Sequence, residues 1–140
     1  MSFQVTFDAL DPARLADFWC EALGYIIQPP PPEFESWDDW AIAMGIPEEN
    51  WNDARALVDP EGSGPRIFIQ KVPEEKSAKN RMHLDITVAD RKPPEEGWPL
   101  LEARAAELEA IGATRGEKFE QMGSYWIVMA DPEGNEFCIQ

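Results

Sequence analysis

Apolar and polar residues alternate near the start of the chain, from Phe3 to Ala9, and this alternation predicts a half-buried strand. Asp11 and Pro12 follow, which are a preferred helix cap and a preferred first helical residue. Apolar residues then recur at helical spacing: Leu15, Phe18, Trp19, Ala22 and Leu23. Gly24 can supply the left-handed stop of a helix. The pattern therefore predicts a strand followed by a helix over residues 12–23 with one apolar face.

The second half of the chain has the same order of elements. A strand is predicted from Met82 to Val88, and Asp90 stands where Asp11 stands in the first half. The helix that follows has a stripe of apolar residues: Leu101, Ala105, Leu108 and Ile111. Gly112 is expected to end it.

Short sequence matches recur in the same order in the two halves. The tetrapeptide Asp-Pro-Glu-Gly occurs at 59–62 and at 131–134, each time before an apolar run that ends in Ile-Gln. Gln4 and His83 each precede a predicted helix-capping aspartate by seven positions. Several matches in one order argue for an internal duplication.

The repeat is interrupted between residues 29 and 53. Four prolines favour an extended segment at its start, and Ser36 can cap a short helix that runs through Met44. The insert is apolar for a loop, since it holds Trp37, Trp40, Met44 and Trp51. A loop of this kind covers a pocket or adds to the core, and the sequence leaves both interpretations open.

Five further strands complete the two halves: Ala54 to Val58, Arg66 to Val72, Thr114 to Gln121, Tyr125 to Ala130, and Glu136 to Gln140. The two Asp-Pro-Glu-Gly segments are predicted turns, with glycine where a positive φ is often required. We expect a single α+β domain over residues 1–140. Its two modules cover about 1–75, including the insert 29–53, and about 80–140.

Composition narrows the choice of partners. The formal net charge is −15, from 27 acidic and 12 basic residues, and such a surface repels nucleic acids and anionic lipids. No apolar window is long enough to cross a bilayer, and no signal peptide is visible. We therefore expect a soluble, cytoplasmic protein with neither nucleic acid nor membrane as a partner.

Two cysteines and one histidine limit the chemistry. Cys20, Cys138 and His83 are too few for a structural zinc site made only of Cys and His, which needs four ligands. Two cysteines in a cytoplasmic chain also give no disulfide framework. Cys20 lies next to Trp19 on the predicted apolar helix, so we expect it in the core.

The chain resembles the vicinal oxygen chelate superfamily, which includes glyoxalase I, bleomycin-resistance proteins and extradiol dioxygenases. Three stretches carry the resemblance: Asp11 to Gly24, Val72 to Asp85, and Ala130 to Cys138. Together they are similar to the glyoxalase-like domain subgroup. The resemblance implies two βαβββ modules whose strands form an open, mixed β-sheet around a cavity. It also implies a homodimer, because these modules often pair.

The same resemblance implies where site residues stand. Metal-using members place one ligand on the first and one on the last strand of each module, usually His or Gln, Glu, His and Glu. The first-strand positions here are Gln4 and His83. Cys138 holds the last position, and the remaining one is Phe68 or, with a small shift, Gln70. We predict that these residues converge on one cavity covered by the insert.

The chain departs from the family's ligand set because both expected carboxylates are missing. Divalent metals in such sites favour His nitrogens and carboxylate oxygens. We therefore expect no metal cofactor. The alternative is a divalent ion such as zinc, held by His83, Gln4, Gln70 and Cys138.

His83 can act as a general base, and Asp85, two residues on along the same strand face, can orient its ring. The alternative is a remnant ligand hydrogen-bonded in the pocket wall. Cys138 is a candidate nucleophile beside His83, or a buried and inert thiol. Trp40 and Trp126 are candidate pocket walls for a flat or apolar ligand.

Three functions remain open. The first is a metal-free protein that binds a small organic molecule in a cavity between the modules. The second is a glyoxalase-type lyase or isomerase that uses His83, with or without a divalent metal. The third is a scaffold whose pocket is a relic.

Overall fold

A computed structural model describes residues 3–90 and 92–140. The chain divides into two compact units, one reaching to Glu75 and the other beginning at Lys76. Each unit has its own sheet and its own long helix. Within the described part of the chain, no helix combines the length and apolarity that crossing a membrane requires.

The first unit has the element order strand, helix, strand, insert, strand, strand. Its elements are β1 (Gln4–Ala9), α1 (Pro12–Leu23), β2 (Ile26–Ile27), α2 (Trp37–Ala43), a single 3-10 turn (Glu48–Asn50), β3 (Ala54–Val58) and β4 (Arg66–Lys71). The sheet order is β1-β4-β3-β2, and β1 pairs with β4 in parallel. The other pairs are antiparallel.

The second unit repeats this topology without the insert. Its elements are β5 (Asp85–Ile86), α3 (Pro94–Ala110), β6 (Thr114–Gln121), β7 (Ser124–Ala130) and β8 (Glu136–Ile139). The sheet order is β5-β8-β7-β6, again with a parallel pair between the first and last strands. The predicted fold of two βαβββ modules is confirmed.

The strand registers also decide which residues correspond. Phe68 pairs with Thr6 on one side and Ala56 on the other. Cys138 likewise pairs with Asp85 and Val128. Phe68 is therefore the counterpart of Cys138. Their partners on the first strands are Thr6 and Asp85. Gln4 and His83 stand two residues before these partners, so they too are counterparts, as the sequence predicts.

The core of the first unit lies between α1 and one face of its sheet. Asp11 caps α1 by accepting a bond from the backbone N–H of Arg14, and Gly24 ends the helix with φ 70°, both as predicted. Trp19 is buried and stacks on Phe7 of β1 with ring centroids 5.2 Å apart. Because strand side chains alternate, Gln4, Thr6 and Asp8 are left on the opposite, exposed face.

The second unit corrects two predictions, one about its first strand and one about the start of its helix. The strand predicted from Met82 to Val88 covers only Asp85–Ile86. The partner strand β8 has four residues, which limits the length of β5. Upstream of β5, the Asn80 N–H donates to the Glu136 side chain and not to a backbone carbonyl of a neighbouring strand. The helix starts at Pro94 with Pro93 at its N-cap position, so Asp90 is not the cap of α3. Helical φ and ψ are disfavoured for a residue that precedes a proline, so Lys92 and Pro93 stay outside the helix and Pro94 is its first residue.

Smaller differences concern single residues. Ile111 is 40% exposed and does not belong to the buried stripe, which consists of Leu101, Ala105 and Leu108. The helix ends at Ala110, so Ile111 lies beyond its last turn. Phe3 is 71% exposed and precedes β1. The remaining strands end within one residue of their predicted bounds.

The two Asp-Pro-Glu-Gly turns are built alike. In each, the aspartate side chain accepts bonds from backbone N–H groups two and four residues ahead, and its carbonyl accepts from the glycine N–H. Gly62 and Gly134 have φ of 71° and 83°. The predicted need for positive φ is confirmed at both turns.

Helix α3 approaches β7 closely at Gly97. A Cβ at this position would lie 1.7 Å from the hydroxyl oxygen of Tyr125, which donates a 2.7 Å hydrogen bond to the carbonyl of Lys92. The glycine is thus required by the tyrosine that anchors the start of the helix.

We predict that Gly97→Ala lowers the free energy of unfolding by about 1–3 kcal/mol, the cost of overpacking a filled site. Alanine otherwise favours helices by about 1 kcal/mol over glycine. Ala106→Gly on the exposed side of α3 is the control, and its loss should match propensity alone. Denaturant unfolding measures both, and a Gly97→Ala variant as stable as the parent protein would contradict the prediction.

Candidate functional site

The insert covers the exposed face of the first sheet and encloses a cavity with it. The cavity has a volume of about 620 Å³. Its lining residues come from the first unit alone: Ile27, Trp37, Asp38, Trp40, Ala41, Ile46, Asn50, Trp51, Asp53, Ala54, Arg55, Ala56, Arg66 and Phe68. The insert therefore forms a wall of the cavity, and only Ala41 of its short helix is buried.

Capping and indole hydrogen bonds hold the insert in shape. Ser36 caps α2 by accepting from the N–H of Asp39 at 3.0 Å, as the sequence predicts. The Trp37 indole donates to the Gln28 carbonyl at 2.7 Å, and the Trp51 indole donates to the Ile46 carbonyl at 3.0 Å. These bonds satisfy the polar edge of each ring and leave the ring faces for apolar contact.

Two tryptophans of the insert form an edge-to-face pair at the cavity. The ring centroids of Trp37 and Trp40 lie 5.3 Å apart with an interplanar angle of 83°. Trp40 is one of the residues that line the cavity. Phe68 of β4 also lines it, from the sheet side.

Arg66 is the central polar residue of the sheet wall. Its Nε donates to the Gln28 side chain at 2.6 Å, and its Nη1 donates to the Gln4 side-chain oxygen. The guanidinium carbon lies 5.4 Å from the centroid of the Phe68 ring, a cation–π contact. Gln4 thus reaches the cavity wall through Arg66 and does not itself line the cavity.

Gln70, the alternative to Phe68, is not part of the cavity wall. Its amide donates to Asp8 at 2.8 Å on the exposed part of the sheet. The strand register makes Phe68 the counterpart of Cys138, and this excludes Gln70 from that position.

The second unit brings His83, Asp85 and Cys138 together. One ligand atom from each lies within 4.8 Å of the others. Asp85 accepts bonds from both neighbours, with a 2.8 Å contact to His83 Nδ1 and a hydrogen bond from the Cys138 thiol. The orientation of His83 by Asp85 that the sequence suggests is present in this geometry.

Burial and, second to it, the adjacent Asp85 carboxylate together raise the pKa of Cys138 to about 11. The thiol is therefore protonated at neutral pH. Burial likewise raises the pKa of Cys20 to about 11, with Asp17 as the second cause. Neither cysteine has the low pKa that marks a reactive thiol.

Trp126 lies in the second unit and lines no part of the cavity described above. Its ring stacks on Phe119 with centroids 5.4 Å apart and an interplanar angle of 17°. The alternation along β7 puts it on the sheet face of Val128, which pairs with Cys138.

The family's metal set fits the first unit poorly. Phe68 has no ligand atom, and the Gln4 oxygen accepts from the positive Arg66 guanidinium, which opposes a second cation. In the second unit, His83, Asp85 and Cys138 offer three donors, the number that a protein supplies to a catalytic zinc. An ion there would displace the hydrogen bonds of Asp85.

Sequence reasoning missed Arg66 altogether and, for Asp85, missed the contact with Cys138. Arg66 stands two residues before Phe68, so strand alternation already puts both side chains on one face. Asp85 was assigned as a partner of His83, but its pairing with Cys138 depends on the parallel register. The predicted convergence of Gln4, Phe68, His83 and Cys138 on one cavity stays a prediction, since two of the residues belong to each unit.

Comparison with known proteins identifies relatives of this fold. The family model "Glyoxalase-like domain" matches residues 4–140. No curated protein sequence matches the chain. A glyoxalase/bleomycin resistance protein/dioxygenase family enzyme from Burkholderia phytofirmans is similar in structure, with 18% identity and a TM-score of 0.63 over 97% of this chain and 94% of the other.

Two further solved structures hold ligands. A bleomycin-binding protein from Streptomyces verticillus, complexed with copper(II)-bleomycin, has 15% identity and a TM-score of 0.54, covering 100% of this chain and 94% of the other. A mutant fosfomycin resistance protein from Listeria monocytogenes, complexed with Mn(II) and a dihydroxypropylphosphonic acid, has 11% identity and a TM-score of 0.61, covering 100% and 87%. These likenesses show the fold. The family model spans nearly the whole chain, and this protein therefore belongs to the glyoxalase-like domain family.

Proposed function

We propose that the protein binds a small organic molecule in the aromatic cavity of its first unit, without a catalytic metal. The observation that carries the proposal is the cavity itself. Its volume of about 620 Å³ lies within the usual range for small-molecule sites, and three tryptophans and one phenylalanine line it. Two of its relatives by fold were solved with small molecules bound.

The lining favours a flat, largely apolar molecule. Trp40 and Phe68 offer ring faces, while the short side chains of Ala54 and Ala56 leave space for a ligand next to the sheet. A planar ligand can stack between such surfaces, and each aromatic contact adds to the burial of apolar area.

A metal-free mode of binding is supported by the first unit's own residues. In this unit, the two positions that correspond to metal ligands in metal-using members of the family are Phe68 and Gln4. The Gln4 side-chain oxygen already accepts a hydrogen bond from Arg66. The charge that a metal would supply is present there as a guanidinium.

A second candidate function is a glyoxalase-type lyase or isomerase centred on His83. The 2.8 Å contact between Nδ1 and Asp85 favours the tautomer that leaves Nε2 as a base. A divalent ion held by His83, Asp85 and Cys138 would supply Lewis-acid polarisation of a substrate oxygen. Metal analysis of protein purified without added ions tests this candidate, and a content near one ion per chain would favour it over metal-free binding.

We also propose that two copies of the chain form a homodimer, as in related modules. Sedimentation at micromolar concentration tests the assembly, and a monomer throughout would refute it. The proposal on the cavity is independent of this one, because residues of a single unit line the cavity.

Trp40→Ala should weaken binding of planar aromatic compounds about tenfold or more, since removing a buried ring contact costs on the order of 1–3 kcal/mol. The measurement is a thermal-shift screen of neutral and charged bicyclic aromatics, followed by calorimetry on the compounds that bind. Trp40→Phe should keep most of the affinity. Trp98→Phe, a change in the second unit, should leave affinity unchanged. A screen with no binder would favour the interpretation of the pocket as a relic.

Alkylation of Cys138 should be slow at pH 8 and should speed up about tenfold per pH unit towards pH 10, because only the thiolate reacts. Asp85→Asn should lower the pKa of Cys138 and raise its rate at pH 8 several-fold. Iodoacetamide labelling followed by peptide mass spectrometry measures Cys138 and Cys20 in one sample. The Cys20 rate is the internal control and should not change. Equal Cys138 rates in the parent protein and the variant would contradict the role of Asp85.

A further inference from the structure

Arg66 is a half-buried cation in the cavity wall, and no carboxylate of the described residues pairs with it. Arg104 and Arg115 on the second unit both form ion pairs with glutamates. Among residues 3–90 and 92–140, Arg66 bonds instead to two neutral amides. The chain has 27 acidic residues, but among the described residues neither Arg66 nor Arg55, the two arginines of this cavity, forms an ion pair. Its charge is left available to a ligand.

We propose that the ligand of this cavity is a planar aromatic carboxylate whose anionic group pairs with Arg66. This inference rests on the proposed binding function and adds the charge of the ligand. The aromatic walls bind the ring system, and the guanidinium binds the acid. Arginine recognises a carboxylate through two parallel N–H bonds, which sets the orientation of the ligand as well.

The guanidinium is held in place before any ligand arrives. Gln28 and Gln4 accept from Nε and Nη1, and the Phe68 ring lies beneath the plane. Nη2 has no partner among the described residues, and Nη1 has a second N–H. These donors point away from the two amide contacts by the planar geometry of the group. A fixed donor fork loses little freedom on binding, which strengthens the pair.

The other charged groups of the cavity do not cancel this preference. Asp53 is held by the Asn50 amide at 2.8 Å and by Lys71 at 3.9 Å. Asp38 lies in the exposed first turn of α2. Arg55 donates to the carbonyls of Trp51 and Ala54 and adds a second positive charge.

A carboxylate matches this site better than the alternatives. A neutral ligand would leave the Arg66 fork without an anionic partner in a half-buried site, which forgoes a charge-assisted bond. A cationic ligand would be repelled by Arg66 and Arg55. A phosphate dianion is more strongly hydrated than a carboxylate and would enter an apolar cavity at a greater cost of desolvation.

Three compounds with one ring system test the inference: naphthoate, naphthamide and naphthylmethylammonium. We expect the parent protein to bind naphthoate about tenfold or more tightly than naphthamide, as a charge-assisted pair implies, and the ammonium compound most weakly. Calorimetry at neutral pH measures all three. Raising sodium chloride from ~50 to ~500 mM should weaken only the binding of naphthoate.

Substitution of the arginine gives the second half of the experiment. Arg66→Gln should remove the preference for naphthoate over naphthamide, while Arg66→Lys should keep part of it. Arg104→Gln on the second unit is the matched control and should change neither affinity. The comparison of the three compounds on the parent protein decides the question even if an Arg66 variant fails to fold.

The outcomes separate the two proposals. Binding of naphthamide as tight as that of naphthoate, or tightest binding of the ammonium compound, would overturn the inference and leave the proposed binding function standing. Failure of all three compounds, together with an empty aromatic screen, would overturn both.

Discussion

Parallel pairing between the first and last strands of each unit is the constraint on which the rest of the structure depends. Such strands cannot be joined by a tight turn and need a long crossover, which in each unit contains a helix and two further strands. The helix then covers one face of the sheet. The other face is left with side chains from the two ends of the unit standing next to each other. Thr6 beside Phe68 and Asp85 beside Cys138 are the products of this pairing.

The two units use the same positions for opposite chemistry. The residue two places before Phe68 is the cation Arg66, while the residue two places before Cys138 is Glu136. Glu136 binds Lys76 at 2.9 Å and the Asn80 N–H at 2.9 Å, and these bonds hold the pKa of its carboxyl down at about 2. The Glu136 carboxylate thus stays ionised, and its negative charge is compensated by Lys76. Within the described part of the chain, Arg66 contacts two neutral amides and an aromatic ring, so its charge is not compensated by a carboxylate.

Much of this architecture was predictable because local and long-range signals agree. The Asp11 cap, the Gly24 stop and the apolar stripe of α1 all specify one helix, and the structure has it at the predicted bounds. The insert was harder, because tryptophans in a loop fit both a core and a pocket wall. Only the indole bonds of Trp37 and Trp51 to backbone carbonyls decide which ring faces stay open. The failure at Asp90 has a similar origin, since a good capping residue was overruled by the two prolines that follow it.

Because Gln4 contacts the Arg66 guanidinium, the positive charge of the first unit's cavity does not depend on the supply of a metal ion. A metal ion can be removed by a chelator, lost when the supply of the element falls, or replaced by a competing ion. A guanidinium is part of the chain and stays charged across the pH range in which proteins are folded. A cavity whose positive charge comes from Arg66 therefore keeps its electrostatic character when metal ions are scarce, whereas a cavity whose charge came from a bound ion would lose it.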